Sequence, residues 1–160
     1  MAIGTGNLIK LVTAVAFCQL AGLIGSLYTT PNIDTWYTTL SKPMLNPPSW
    51  VFGPVWTVLY VLMGIALYFV WSRQTGGKRR TRWLMLFMVQ LGLNTAWSII
   101  FFGEKQLFAA LFVLGALWLA ITALIILGRK LHAQVVYLLL PYLLWVSFAG
   151  YLNYSIWQLN

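Results

Sequence analysis

The chain has 160 residues, 61% hydrophobic and only 8% charged, with ten Lys and Arg against two Asp and Glu and a formal net charge of +8. A water-soluble globular chain is about 45–50% apolar and about 25% charged, so this composition excludes a soluble domain and requires lipid as the solvent. The positive excess does not mark a nucleic-acid surface, because Lys78, Arg79, Arg80 and Arg82 are gathered between two long apolar stretches, where they act as a topology signal.

Five apolar runs of membrane-spanning length follow one another: 8–28, 50–71, 83–102, 107–127 and 135–157. The first carries Lys10 ahead of an apolar core, as a signal peptide would. Phe17 is too bulky for the position before the cysteine of a lipoprotein box, so the run is expected to be a helix of the mature protein. A loop over 29–48 comes next, holding Pro31, Pro43, Pro47 and Pro48. In the second run Trp56, Tyr60 and Gly64 share one helical face. After the break at Arg73 to Arg82, with Gly76-Gly77, the third run aligns Gln90, Asn94 and Trp97 in the same way. The fourth run is uniformly apolar. The fifth aligns Tyr142, Trp145, Ala149 and Asn153, and Pro141 is expected to kink it and free a carbonyl beside that face. Outer-membrane strands would alternate, and these runs do not. The fold class is therefore all-α, an integral membrane bundle of five transmembrane helices forming one domain over 1–160.

Cations set the expected orientation. Lys10, Arg73, Lys78, Arg79, Arg80, Arg82, Arg129 and Lys130 fall on the side of the N-terminus, and only Lys42 and Lys105 on the other. For insertion into a cell membrane this places the N-terminus in the cytoplasm and the 29–48 loop outside. Both acids, Asp34 and Glu104, are expected in loops, leaving no carboxylate within the spans for proton relay or general acid–base work. One Cys, Cys18, and one His, His132, give no metal-ligand spacing, so no metal site is expected.

The spans hold neutral polar groups interleaved with tryptophan. An amide facing acyl chains leaves donors and acceptors unpaired at several kcal/mol, so these faces should turn inward and enclose an aromatic cavity. Trp50, Trp71, Trp83 and Trp157 are explained by an interfacial belt. Trp56, Trp97 and Trp145 lie too deep for that. The pairs Ala21/Gly25, Gly92/Ala96 and Ala116/Ala120 have the small-xxx-small spacing of close helix packing, mostly within the bundle.

The string Trp36-Tyr37, Leu40-Ser41-Lys42-Pro43, Asn46-Pro47-Pro48-Ser49-Trp50 and Pro54-Val55-Trp56-Thr57-Val58-Leu59-Tyr60 closely resembles the TspO/MBR family, the translocator proteins formerly called peripheral-type benzodiazepine receptors. Gln90 to Ser98, Pro141 to Trp145, Phe148-Ala149 and Leu152-Asn153-Tyr154 continue the resemblance along the whole chain. It implies a five-helix bundle, usually a homodimer, whose first loop closes a pocket for protoporphyrin IX and related tetrapyrroles and for isoquinoline or benzodiazepine ligands. The implied lining is Tyr37, Pro47, Trp56, Tyr60, Asn94, Trp97, Trp145, Ala149 and Asn153. Porphyrin would be a ligand rather than a required cofactor, with a role in tetrapyrrole transport, sensing or disposal. In some bacterial members the tryptophans matching Trp56 and Trp145 are implicated in light-dependent porphyrin degradation. The sterol-recognition pattern of animal members needs a basic residue soon after a tyrosine in helix five. Ser155 to Asn160 supply none after Tyr154, which points to a bacterial member.

Overall fold

The computed structural model describes residues 5–73 and 75–160. Five long helices make up the protein: α1 (Thr5–Asn32), α2 (Phe52–Trp71), α3 (Gly77–Ser98), α4 (Leu107–Gly128) and α5 (Gln134–Leu159). With the π-helical turns Ile33–Tyr37 and Ile99–Gly103 that extend α1 and α3, and the short 3-10 turn Ser49–Val51 leading into α2, all five are long and apolar enough to cross a membrane. α1 packs against α2 and α3, α2 against α5, α5 against α4, and α4 against α3, which closes a ring in the order α1, α2, α5, α4, α3. Outside the ring, residues such as Leu23, Leu27, Leu119 and Leu144 are exposed, as lipid-facing side chains must be.

Two expected boundaries move. The 29–48 loop is helical over its first half, because polar side chains that favour loops in water bond back to their own helix here. Thr29 Oγ1 donates to Gly25 O at 3.2 Å, Asn32 Nδ2 to Tyr28 O at 2.9 Å and Thr35 Oγ1 to Pro31 O at 2.8 Å. Pro31 sits inside α1, and the wider π turn follows directly after it. Asp34 consequently lies in that helical turn, exposed, and not in a loop.

The second shift is at the cationic run, which is the start of α3. Arg80 turns back on the preceding helix, donating from Nε to Val70 O at 3.1 Å and from Nη2 to Trp71 O at 2.7 Å. It thereby supplies a donor to the Trp71 carbonyl at the end of α2 and a second one to Val70 O, which also accepts from Arg73 N at 3.4 Å.

Beginning α3 at Gly77 also changes Trp83 from a belt residue to a core one. It is fully buried, donates from Nε1 to Leu124 O at 2.9 Å and stacks on Phe87 at 5.1 Å between centroids. Gly128 provides the room, since a Cβ there would lie 2.9 Å from the indole nitrogen. Trp50 and Trp71 remain exposed, as a belt requires. Pro141 is accommodated within an unbroken α5. The carbonyl it leaves without an amide partner belongs to Tyr137, whose side chain is exposed, so no free acceptor is delivered to the interior. Gly64 likewise does not face a cavity: a Cβ there would come within 2.5 Å of the Val15 backbone, making it the point of closest approach of α1 and α2.

Of the small-residue pairs, Gly25 is buried against Ser98 and Ala120 is buried in α4, whereas Gly92 and Ala116 are exposed. Buried packing falls into two clusters. The larger centres on Met63, Trp83, Phe87 and Tyr142, and the smaller on Tyr37, Phe101, Phe102, Ala110 and Ile156 at the loop end. Trp97 packs against both.

Candidate functional site

Between the loop-side halves of the helices lies a cavity of about 240 Å³, bounded by α1, the π turn after it, α2, α3 and α5. Its aromatic walls come from α2, α3 and the π turns that extend α1 and α3. Trp56 lies 5.8 Å from Tyr60 and 6.4 Å from Trp97, both tilted by little more than 30°, and Trp97 stacks on Phe101 at 5.3 Å. Offset rings at these separations form a surface suited to another flat aromatic.

The polar groups among these rings are held by one another. Tyr60 Oη donates to Asn94 Oδ1, Asn94 Nδ2 donates to Tyr142 Oη at 2.8 Å, and Tyr142 Oη donates to Gln90 Oε1 at 3.0 Å. Gln90 Nε2 faces Met63 Sδ at 3.9 Å. A thioether only accepts, so Gln90 turns its oxygen to Tyr142 and the direction of the whole chain follows. Asn153 works in parallel: its Oδ1 accepts from Trp97 Nε1 at 3.2 Å while its Nδ2 donates to Leu107 O at 2.9 Å. Gln90, Asn94 and Asn153 are nearly inaccessible to solvent, and each is paired as a buried amide must be.

The loop end is strapped down. Tyr37 Oη donates to Asn46 Oδ1 at 2.7 Å, and Asn46 Nδ2 to Pro47 O at 3.0 Å. Ser41 N donates to Asn160 Oδ1, and Asn160 Nδ2 donates back to Ser41 O, each at 3.0 Å. Lys42 Nζ donates to Leu40 O at 2.9 Å and lies 4.9 Å from the Tyr37 ring centroid. The cavity is not wholly enclosed. Its lining includes the exposed Leu23 and Thr30 of α1 and Gly53 and Thr57 of α2, which puts a mouth between these two helices. Below that mouth Gln19 Nε2 donates to Thr57 O at 3.0 Å and ties the helices together.

Tyr37, Trp56, Tyr60, Asn94, Trp97, Ala149 and Asn153 line the cavity together. Pro47 does not, having its carbonyl occupied by Asn46 in the loop. Trp145 lies behind the wall, edge-on to Phe52 at 6.2 Å. Gln90 and Tyr142 sit one layer deeper and act on the cavity through Asn94. What the sequence reasoning missed is the α1 wall of Gln19, Gly22, Ser26, Thr29 and Ile33, together with Phe52, Phe101 and Phe102. The α1 set recurs at helical spacing, but small and polar residues that bond to their own apolar helix carry no sign of a cavity. The three phenylalanines carry none either.

Among the described residues no cluster of three His, Cys, Asp or Glu is placed to hold a metal. A profile of the TspO/MBR family matches residues 14–158. The chain is 42% identical to the Tryptophan-rich protein TspO of Archaeoglobus fulgidus over 96% of its length and 99% of that protein. It is 38% identical to the Translocator protein of Bos taurus and 36% identical to the Tryptophan-rich sensory protein of Cereibacter sphaeroides, in each case over 93% of this chain and 90% of the other. The chain belongs to the TspO/MBR family.

Proposed function

We propose that this membrane protein binds a flat tetrapyrrole of the porphyrin type in the cavity walled by Trp56, Tyr60 and Trp97, and serves in its transport, sensing or disposal. The observation that carries the reading is the set of tilted rings around a space with no charged lining residue. The family's names point the same way, two relatives being called a translocator and a sensory protein.

Size dictates the pose. Pockets for drug-sized ligands run to about 300–1,000 Å³, more than the 240 Å³ present, so a macrocycle enters edge-first through the α1/α2 mouth with part of its ring outside. Its propionates stay at the loop end, where Lys42 lies over Tyr37 and Lys105 over Trp36, because a carboxylate deeper in the bundle would be buried without a cation. With the cationic turns cytoplasmic, that end faces outward from a cell membrane.

Titration of the reconstituted protein with protoporphyrin IX tests the assignment through quenching of tryptophan fluorescence. Replacing Trp56 and Trp97 together by Ala should lower affinity at least tenfold, and unchanged affinity defeats it. Light-driven degradation of the bound porphyrin is a second reading. It is favoured by Trp56 lying against Tyr60, Trp97 and also Tyr142, at 6.2 Å, which puts several oxidisable rings at the cavity. Loss of porphyrin absorbance under illumination, absent in Trp56→Phe, separates it from binding alone.

A further inference from the structure

The net charge of the protein is confined to one end. At the loop end Lys42 and Lys105 are balanced by Asp34 and Glu104, so the whole +8 comes from the eight cations of the other end, where no acid stands. Counter-ions for that end must come from outside the chain. Two of the cations are engaged within the protein. Arg80 donates to the carbonyls of Val70 and Trp71, and Arg73 donates from Nε to Thr75 Oγ1 at 3.1 Å. Arg79, Arg82 and Lys130 are exposed, and among the described residues their side chains have no hydrogen-bond partner.

The packing of α3 on α4 gathers these three. A Cβ on Gly76 would lie 3.3 Å from Leu131 Cδ2, and one on Gly128 would lie 2.9 Å from Trp83 Nε1. Gly76 and Trp83 therefore mark the side of α3 that meets α4, and Lys130, beside Leu131, stands at the same junction. Arg80 turns from that side toward α2. At about 100° per residue, Arg79 and Arg82 fall on the opposite flank, outside the bundle, and Leu86 and Val89 continue it deeper into the membrane. Across the seam, Ala120 lies one turn from Leu124, whose carbonyl accepts from Trp83, and Ala116 and Ala123 extend its stripe. Ala120 is buried and Ala116 exposed, so these short side chains leave an apolar furrow open to lipid beneath the three cations. From Leu127 to Ala116 the stripe runs about 17 Å, close to one leaflet's share of an about 30 Å hydrocarbon core.

We propose that this seam holds one anionic phospholipid, with its phosphate clasped by Arg79, Arg82 and Lys130 and an acyl chain laid along the alanine furrow. Guanidinium groups fork onto phosphate oxygens and so fix the headgroup at the junction. A free phosphate or a nucleic acid would match the charge and leave the furrow empty. A zwitterionic lipid would fill the furrow and bring an ammonium group up to three cations. A lipid of net negative charge uses both halves of the site and supplies from the bilayer the counter-charge that the sequence omits.

The test is native mass spectrometry of the delipidated full chain in neutral detergent, titrated with dioleoyl phosphatidylglycerol and separately with dioleoyl phosphatidylcholine. One phosphatidylglycerol per chain should be retained, about tenfold or more tightly than phosphatidylcholine. Arg79→Gln combined with Arg82→Gln should lose most of that preference. Lys10→Gln combined with Arg73→Gln removes the same charge elsewhere at the same end and should leave the preference within about twofold. Ala123→Phe fills the furrow with the charge unchanged and should weaken phosphatidylglycerol severalfold. Equal retention of the two lipids, equal losses in the two double variants, or an Ala123→Phe variant that binds as the parent does overturns the proposal. So does displacement of the bound lipid by millimolar glycerol 3-phosphate, which would mark a site for free anions, or a lipid-free dimer that excludes phosphatidylglycerol, which would mark the seam as an interface between copies of the chain.

Discussion

Gly22 is where a single methyl group should do the most damage to the site. It lies on α1 facing the ring of Tyr60, and a Cβ there would stand 2.4 Å from Cε2, 2.7 Å from Cδ2 and 3.0 Å from Cζ. Carbon atoms rest at about 3.5–4.0 Å from one another, so the ring must retreat by about 1 Å or more. It has one direction to take, away from α1 and toward Trp56, which is already in contact. The move carries Tyr60 Oη off Asn94 Oδ1 and pushes the ring into the cavity. Overpacking of this kind costs about 1–3 kcal/mol, and a lost bilayer hydrogen bond adds about 0.6 kcal/mol. Gly22→Ala should therefore lower the thermal midpoint in detergent by several degrees and weaken protoporphyrin IX by an order of magnitude or more. Gly92→Ala is the control. It introduces the same methyl into open space on α3, where the better helix propensity of Ala should leave stability equal or higher. If Gly22→Ala matches Gly92→Ala in both midpoint and affinity, the placement of Tyr60 between α1 and the cavity is wrong.

Other parts of the fold have their own tests. Asn153→Leu removes both partners of a paired amide, stranding Trp97 Nε1 and Leu107 O, and should cost about 1–3 kcal/mol in unfolding and loosen ligand binding through Trp97. Thermal scans with and without porphyrin measure both effects, and a purely thermal loss would mean that Trp97 holds its place without Asn153. Arg80→Met uncaps α2 and should cost about 1 kcal/mol with no change in porphyrin affinity, since Val70 O and Trp71 O lie far from the cavity wall. Asn160→Ala cuts the strap to Ser41, and amide hydrogen exchange over residues 38–46 should quicken while the helices stay protected.

Where the sequence carried the site and where it did not follows from what a bilayer enforces. Within lipid a backbone must satisfy itself and an amide cannot face acyl chains, so five apolar runs read directly as five helices and Asn94, Trp97 and Asn153 read as inward. Periodicity says which residues share a face, but not how deep along that face the neighbouring helix lies. Gln90 and Tyr142 thus share stripes with cavity residues and end one layer below the cavity, and Gly64, in register with Trp56 and Tyr60, meets the α1 backbone. Trp83 shows the limit more sharply. Its place at the start of the apolar run, next to Arg82, suggested an interface, yet the helix starts earlier, because Arg80 finds carbonyl acceptors on α2 and the cationic turn is stable as helix. A charge run marks a membrane side without marking a helix end. For the same reason the α1 wall stayed hidden: Ser26 and Thr29 spend their hydroxyl protons on their own helix, so they cost little in lipid. In a helix of Leu, Ile and Ala they look like tolerated polar residues, and only the neighbouring ring of Tyr60 gives that face a purpose.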